Sequence, residues 1–274
     1  LTSDYRNMVE RAEMILTGTE IVMRAVGVSR AVIGVENNKP DAIAHLREVI
    51  ARDKYDGIEV MPLKMRYPQG GEKQLIAAVT GRQVPPPPAL PISVGAVVCN
   101  VSTAIAIYEA VQKNKPLIER VVSVTGKELK STHNYLARFG TPASRFFELA
   151  GIPEGDVKLL NGGPMMGRCI SNIDTPINKR SSAILCLEKQ ETVREDVLDC
   201  IRCGKCMGTC PMGLEPYLLA KLTEIEDWSE LEEHYVMDCI ECGCCTFTCP
   251  SHRPLLDYVR YGKFKVGTII RNRK

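Results

Sequence analysis

The sequence predicts a mixed α/β protein in three parts, and three observations carry that expectation. Up to about residue 112, segments of helical periodicity alternate with short apolar runs of strand length, the pattern of an α/β layer with parallel pairing. From Arg120 to Leu187, five strand-like runs surround one helix, which describes a small α+β module. From Glu191 onward the chain reads as helical and cysteine-rich, and there one cysteine pattern is written twice. The expected boundaries are 1–115, 116–189 and 190–274.

Each element has its own reason. Asp4 to about Val26 is expected as one helix, because Met8, Val9, Ala12, Ile15 and Leu16 recur at helical spacing. Ala31 to Val35 is a strand bounded by Glu36-Asn37-Asn38. Asp41 to Arg52 is an amphipathic helix with Ala42, Ile43, Leu46, Val49 and Ile50 on one face. Ile58 to Met61 gives a second strand, and Gly70-Gly71 precedes a short helix through Leu75, Ile76 and Val79. The run Val84-Pro85-Pro86-Pro87-Pro88-Ala89-Leu90-Pro91 excludes helix and central strand and is expected to run extended over the surface. A helix resumes from Thr103 to Gln112. Beyond it, Arg120–Val124, His133–Ala137, Val157–Leu160, Met166–Ile170 and Ala183–Leu187 read as strands around a helix at Pro142–Ala150. Asn161-Gly162-Gly163-Pro164 is a sharp turn with a structural role. Helices at Pro216–Glu224 and Trp228–His234 separate the two cysteine patterns.

Length and composition set bounds. A chain of 274 residues holds two or three modest domains, and 45% apolar with 25% charged residues describes a globular protein. The formal net charge of +2, from 35 basic and 33 acidic residues, implies neither nucleic acid nor an anionic membrane as partner. No apolar run approaches the ~20 residues of a membrane span; the longest, Val94 to Val111, is broken by Asn100, Ser102, Thr103 and Glu109. No signal peptide is read at the start. The chain opens Leu1-Thr2-Ser3-Asp4 rather than with methionine, which suggests a longer upstream sequence.

The doubled pattern carries the chemistry. Cys200-x2-Cys203-x2-Cys206-x3-Cys210-Pro211 is answered 39 residues later by Cys239-x2-Cys242-x2-Cys245-x3-Cys249-Pro250, with Asp-Cys-Ile-x-Cys-Gly flanks in both. In this spacing three close cysteines hold one [4Fe–4S] cube and the fourth reaches across to the other. One cluster is therefore expected on Cys200, Cys203, Cys206 and Cys249, and the second on Cys239, Cys242, Cys245 and Cys210. Proline after each fourth cysteine fixes φ and removes a donor. Gly204 and Gly243 permit close backbone approach. Eight thiolates around two oxidised cubes would take the net charge to roughly −2. Paired structural zinc sites also use C-x2-C spacing, but nothing in them calls for a third cysteine and a Cys-Pro end, twice over. A disulfide framework fits less well still. The implied chemistry is one-electron transfer.

Three further stretches precede the cysteines: Tyr67-Pro68-Gln69-Gly70-Gly71-Glu72, Asn100-Val101-Ser102-Thr103 and Asn161-Gly162-Gly163-Pro164-Met165-Met166-Gly167. In this order the chain resembles the C subunit of the Rnf complex, the ferredoxin:NAD⁺ oxidoreductase of bacteria and some archaea, over essentially its whole length. That family is similar in turn to the NADH-oxidising, flavin-carrying subunit of respiratory complex I. The resemblance implies a Rossmann-like FMN/NADH domain lacking its N-terminal part, a small β-grasp domain of ligand-binding type, and a two-cluster ferredoxin-type domain. It implies FMN contacts at Tyr67, Gly70, Gly71, Glu72, Asn100 and Thr103, and it puts the family's main glycine-rich FMN loop upstream of Leu1. Gly71 replaces an acidic residue that complex I carries beside Glu72, so NADH contacts do not carry over. The implied role is electron transfer between NADH, through FMN, and ferredoxin. The implied partners are the membrane subunits that move Na⁺ or H⁺ and a ferredoxin-like iron–sulfur subunit. The implied location is the cytoplasmic face of the membrane, as a peripheral subunit.

Two other readings stand beside this one: a flavin-free electron-transfer linker, and a corrin reductase of the same wider family acting in cobalamin recycling. A flavin is needed only if a nicotinamide is the donor, since hydride delivers two electrons together and each cluster accepts one. Cys99, Cys169 and Cys186 are expected as buried small hydrophobes, and Cys244 as a spectator beside the second set of ligands. Lys205 and Arg202 are expected to tune the nearby cluster by charge or simply to be solvated. His45, His133, His234 and His252 show no ligand spacing, and no catalytic side chain is expected.

Overall fold

The computed structural model describes residues 2–127, 129–151 and 157–273. The chain divides into two compact units. One comprises the residues up to Gln83 together with Gly95–Thr192; the other comprises Val84–Val94 and the chain from Val193 on.

The first unit opens with two helices, α1 (Ser3–Glu10) and α2 (Ala12–Val26), where one was expected. The helical path breaks at Arg11, with φ −135° and ψ 35°. Polar anchoring redirects the first segment. The Ser3 backbone N–H donates to Ser123 Oγ at 3.0 Å, and Asn7 Nδ2 donates to Ser102 Oγ at 3.1 Å, whereas α2 follows its apolar stripe into the core. Strand β1 (Ala31–Glu36), helix α3 (Pro40–Asp53) and strand β2 (Ile58–Leu63) form a βαβ unit in which β1 and β2 run parallel, Ala31 opposite Ile58. Helix α4 (Glu72–Thr80) follows the Gly70-Gly71 loop, and α5 (Val101–Lys113) begins at an Asn100 cap whose Oδ1 accepts the Ser102 N–H. Ile15, Leu16, Ala42, Leu46 and Val49 are sealed from solvent in the core between these elements. Helix α2 crosses α5 so closely that a Cβ on Gly18 would stand 2.0 Å from the Ala104 carbonyl oxygen.

Within the same unit, β3 (Glu119–Thr125), β4 (His133–Arg138), β5 (Val157–Asn161), β6 (Arg168–Cys169) and β7 (Ala183–Glu188) make one mixed sheet in the order β4-β3-β7-β5-β6. Only β3 and β7 pair in parallel. Helix α6 (Ala143–Ala150) sets Phe146 and Phe147 into a core with Val122, Val124 and Ile184. The strand expected at Met166–Ile170 shrinks to two residues because Gly162–Gly167 is a tight turn. Gly162 has φ +113°, and Gly167 N–H donates to the Gly163 carbonyl at 2.8 Å. Two cysteine expectations fail here. Cys186 is buried on β7, but Cys169 is exposed on the short edge strand, and Cys99 is exposed in the irregular stretch before α5.

After the short helix α7 (Lys189–Thr192) the chain is irregular until α8 (Lys205–Gly208), rather than helical from Glu191. Then come α9 (Pro216–Glu224), α10 (Trp228–Glu233), α11 (Cys244–Phe247) and a long terminal helix α12 (Leu255–Asn272). Leu219, Leu231, Val236, Val259 and Val266 form the core of this second unit. The proline-rich segment belongs here too. It does not run uniformly extended: Ala89 N–H closes a turn on the Pro86 carbonyl at 3.0 Å, Pro91–Val94 is a 3-10 turn, and Val84 is buried.

Gly18→Ala should lower stability by about 1–3 kcal/mol, because a methyl has no room against the α5 backbone. Urea denaturation of the two proteins, with Gly27→Ala as a comparison at a site of open space and positive φ, checks this.

Candidate functional site

The two cysteine patterns repeat in backbone geometry as well as in residue type. Arg202 and Glu241 both have left-handed φ (54° and 58°), as do Gly204 and Gly243 (72° and 85°) and Gly213 and His252 (67° and 50°). Each pair is separated by the same 39 residues as the cysteines. Helices α8 and α11 start at equivalent positions, and so do α9 and α12. A left-handed residue on each side of the middle cysteine folds the chain into a tight loop. For a non-glycine residue that conformation costs about 1–2 kcal/mol, so Arg202 and Glu241 are held there by the loop around them.

The second set of expected ligands comes together across the repeat. Cys210, from the first pattern, lines one cavity with Cys239, Cys242 and Cys245 from the second; Met212, Leu214, Leu219 and Leu256 supply apolar walls. Five cysteines line this apolar space, Cys244 included, and the four expected ligands among them match the donor set of a [4Fe–4S] cube. Among the described residues no three or more His, Cys, Asp or Glu side chains converge as they would on a single metal ion, which for zinc means sulfurs about 2.3 Å from one centre. The first set is partly assembled. Cys206 and Cys249 share a small apolar cluster with Ala220, Leu255, Cys245 and Tyr258, and burial raises the Cys206 thiol, with the charge of Cys200 adding the smallest push. Cys200 and Cys203 are exposed. The packing of Cys245 beside Cys206 and Cys249 makes the two sites neighbours.

Burial dominates the electrostatics of these thiols. It raises Cys206 and Cys239 above the ordinary cysteine value, and it pushes Cys245 up to about 12, with the charges of Cys239 and Cys242 adding to it. Opposing donors are already aimed at the sulfurs: Glu241 N–H points to Cys239 Sγ at 3.4 Å. Cys244 is buried on the wall of the same cavity and hydrogen-bonds Cys242.

A feature that the cysteine spacing does not reveal is a clasp on the second loop. Glu241 accepts from Arg260 Nε at 3.1 Å and from Lys263 Nζ at 3.2 Å, and Lys263 also donates to the Cys239 carbonyl at 2.6 Å. Its signal lay in the repeat itself, where Arg202 in the first copy is replaced by Glu241 in the second, and in the long terminal helix that carries both cations. Lys205 is likewise replaced by Cys244, so the first loop carries two cations where the second carries an acid and a thiol.

The six expected flavin residues fall in two places within the first unit. Asn100 and Thr103 line a cavity beside α5. The Asn100 amide is engaged within the chain, its Oδ1 accepting from Ser102 and its Nδ2 donating to Asp4 Oδ2 at 2.9 Å. Tyr67, Gly70, Gly71 and Glu72 lie on the loop leading into α4, outside that lining. Tyr67 is half exposed, and Glu72 begins the helix. Gly70 has open space where a Cβ would be, whereas a Cβ on Gly71 would stand 2.7 Å from Gln74 Oε1. Open space beside Gly70 leaves its backbone accessible to a planar ring.

Two family models match the chain: a Nuo51 FMN-binding domain over residues 1–109 and a 4Fe-4S dicluster domain over residues 192–250. Curated relatives match nearly all of it. The C subunit of the proton-translocating ferredoxin:NAD⁺ oxidoreductase complex of Clostridium ljungdahlii is 44% identical over 96% of this chain, and its Na⁺-translocating counterpart in Acetobacterium woodii is 42% identical over 97%. The C subunit of the ion-translocating oxidoreductase complex of Yersinia enterocolitica is 40% identical over 98%. The chain spans 57%, 60% and 38% of the lengths of these three relatives. Among solved structures, a chain of an NAD⁺-reducing [NiFe]-hydrogenase in its H2-reduced state superposes with a TM-score of 0.65 at 15% identity, over 97% of this chain and 54% of that one. This last likeness is one of fold.

Two outcomes are expected. If the fourth ligands cross, Cys249→Ser should alter the EPR signal that Cys200→Ser alters, and Cys210→Ser the one that Cys239→Ser alters; pairing within each pattern instead would show the crossing to be wrong. In the metal-free, reduced protein, thiols whose folded values are raised hold their protons longer than in the unfolded chain. Stability should therefore be intact below about pH 9 and fall as the pH rises toward 12. Urea titration across that range checks it, and Cys245→Ala should flatten the slope.

Proposed function

We propose that this chain, a homologue of the C subunit of ion-translocating ferredoxin:NAD⁺ oxidoreductase complexes, carries electrons between NADH, through FMN, and ferredoxin by way of two [4Fe–4S] clusters. The observation that carries the reading is the cavity shared by Cys210 with Cys239, Cys242 and Cys245, a juxtaposition that a crossed two-cluster arrangement calls for. Cys200, Cys203, Cys206 and Cys249 hold the other cluster, beside the first. A bound flavin accepts the electron pair of a nicotinamide and releases it one electron at a time, which is the conversion that single-electron clusters require. Tyr67, Gly70, Gly71, Glu72, Asn100 and Thr103 are the residues of this chain assigned to it.

In this reading residues 1–115 form a Rossmann-like FMN/NADH domain, 116–189 a β-grasp domain and 190–274 the two-cluster domain. The chain works as a peripheral component on the cytoplasmic face of a membrane complex. Its partners are the membrane subunits that translocate the ion and a ferredoxin-like iron–sulfur subunit. No helix among the described residues is long and apolar enough to cross a membrane, so ion movement is assigned to those partners.

Iron and flavin analysis of the anaerobically purified full-length protein tests this, followed by addition of NADH. About eight irons, one FMN and bleaching of the cluster absorbance by NADH are expected. Eight irons without flavin and without a response to NADH would instead make the chain a flavin-free electron-transfer linker.

A further inference from the structure

Helix α12 sets two cations over the second cysteine loop, and one of them is bonded to the loop's backbone. Lys263 Nζ donates to the Cys239 carbonyl at 2.6 Å and to Glu241 Oε1 at 3.2 Å, while Arg260 Nε holds Glu241 Oε2 at 3.1 Å. Glu241 in turn aims its backbone N–H at Cys239 Sγ, 3.4 Å away. The Lys263 side chain is only 25% exposed, and a charge so placed is screened by salt much less than one in open solvent. Its ammonium is therefore pinned beside an expected cluster ligand rather than free to swing into water.

The first copy of the repeat shows that the loop does not need this cation in order to fold. At the same 39-residue offset, Glu224 answers Lys263 and Arg202 answers Glu241, so both charges are reversed. Yet Arg202 and Gly204 adopt the same left-handed conformations as Glu241 and Gly243. Nor does the reversed pair make the same clasp. Glu224 accepts instead from Arg253 Nη2 at 2.5 Å, and Arg202 is exposed. What Lys263 adds to the second loop is thus positive charge at a fixed place, where the first copy carries an acid.

We propose that Lys263 is a positioning residue that sets the reduction potential of the cluster held by Cys239, Cys242, Cys245 and Cys210. The inference rests on the reading of those four cysteines as cluster ligands. Nearby charge is one of the levers on such a potential. Lys263 holds its ammonium where one further negative charge arrives with the electron, and no bond forms or breaks. The Cys239 carbonyl and Glu241 keep the ammonium in place, and Arg260 offsets the charge of Glu241. Electron uptake at the second site is favoured by this arrangement, which has no counterpart at the first.

The test is an EPR-monitored redox titration of the full-length, cluster-loaded protein, following the signal that Cys239→Ser alters. Lys263→Met, which keeps the length of the side chain without its charge, should move that signal at least threefold toward the oxidised form at a fixed potential. For a one-electron couple this is a midpoint about 28 mV lower. Lys263→Gln, which keeps a donor for the Cys239 carbonyl, should show the same fall, and Lys263→Arg should restore most of it. The signal that Cys200→Ser alters should stay in place. Lys265→Met removes a cation of the same helix that stands over Tyr261 at 5.3 Å, and it should move neither signal. An unchanged midpoint in Lys263→Gln or Lys263→Met at full iron content would overturn the proposal and leave the cluster assignment standing, as would an equal fall in Lys265→Met. Absence of the cluster signal from the unsubstituted protein would overturn both.

Discussion

In the proposed two-cluster arrangement, the crossing of one sulfur from each cysteine pattern into the other's site is the constraint on which the second unit depends. A pattern that held its own four cysteines could fold as an isolated loop. Because Cys210 faces the cavity of Cys239, Cys242 and Cys245, and Cys249 packs with Cys206, neither loop is complete until both are in place. The equivalent starts of α9 and α12 follow from this, since each helix must leave its loop in a direction that returns the fourth cysteine to its neighbour. Helix α12 then crosses the earlier helices at Gly262, where a Cβ would meet Thr223 Oγ1 at 2.6 Å and Leu231 Cδ1 at 3.0 Å.

The two halves of this pseudo-repeat have diverged in their surroundings while keeping their backbone. The loop with Arg202 and Lys205 leaves Cys200 and Cys203 exposed. The loop with Glu241 and Cys244 is tied to α12 by Arg260 and Lys263 and lies against apolar walls. Cluster potentials respond to burial, nearby charge and hydrogen bonds to sulfur, and all three differ between the sites. In the proposed reading the chain therefore offers two unlike stations for an electron.

Much of this was legible in the residues. The strict repeat of spacing specified the second unit, because metal ligation needs residue types at fixed intervals. The βαβ unit followed from periodicity. What escaped had physical causes. The break at Arg11 comes from Ser3 and Asn7 bonding to residues some 95–120 positions away, which no local pattern records. Cys99 and Cys169 looked buried because their sequence neighbours are apolar, but an edge strand and an irregular stretch point side chains outward. The Glu241 clasp depends on α12 lying over the loop, a tertiary fact. The flavin residues came from resemblance rather than from any local pattern, and they fall in two places, Asn100 and Thr103 beside α5 and the other four on the loop into α4.

The segment Val84–Val94 belongs to the unit otherwise built from Val193 on, so the second unit is discontinuous in the chain. During synthesis this strap leaves the ribosome roughly a hundred residues ahead of the elements it packs with, and it waits while the mixed sheet is made. The cysteine-rich end has no single cut point that would release it whole: a fragment beginning at Val193 would lack the strap, and one that included the strap would carry the entire sheet with it.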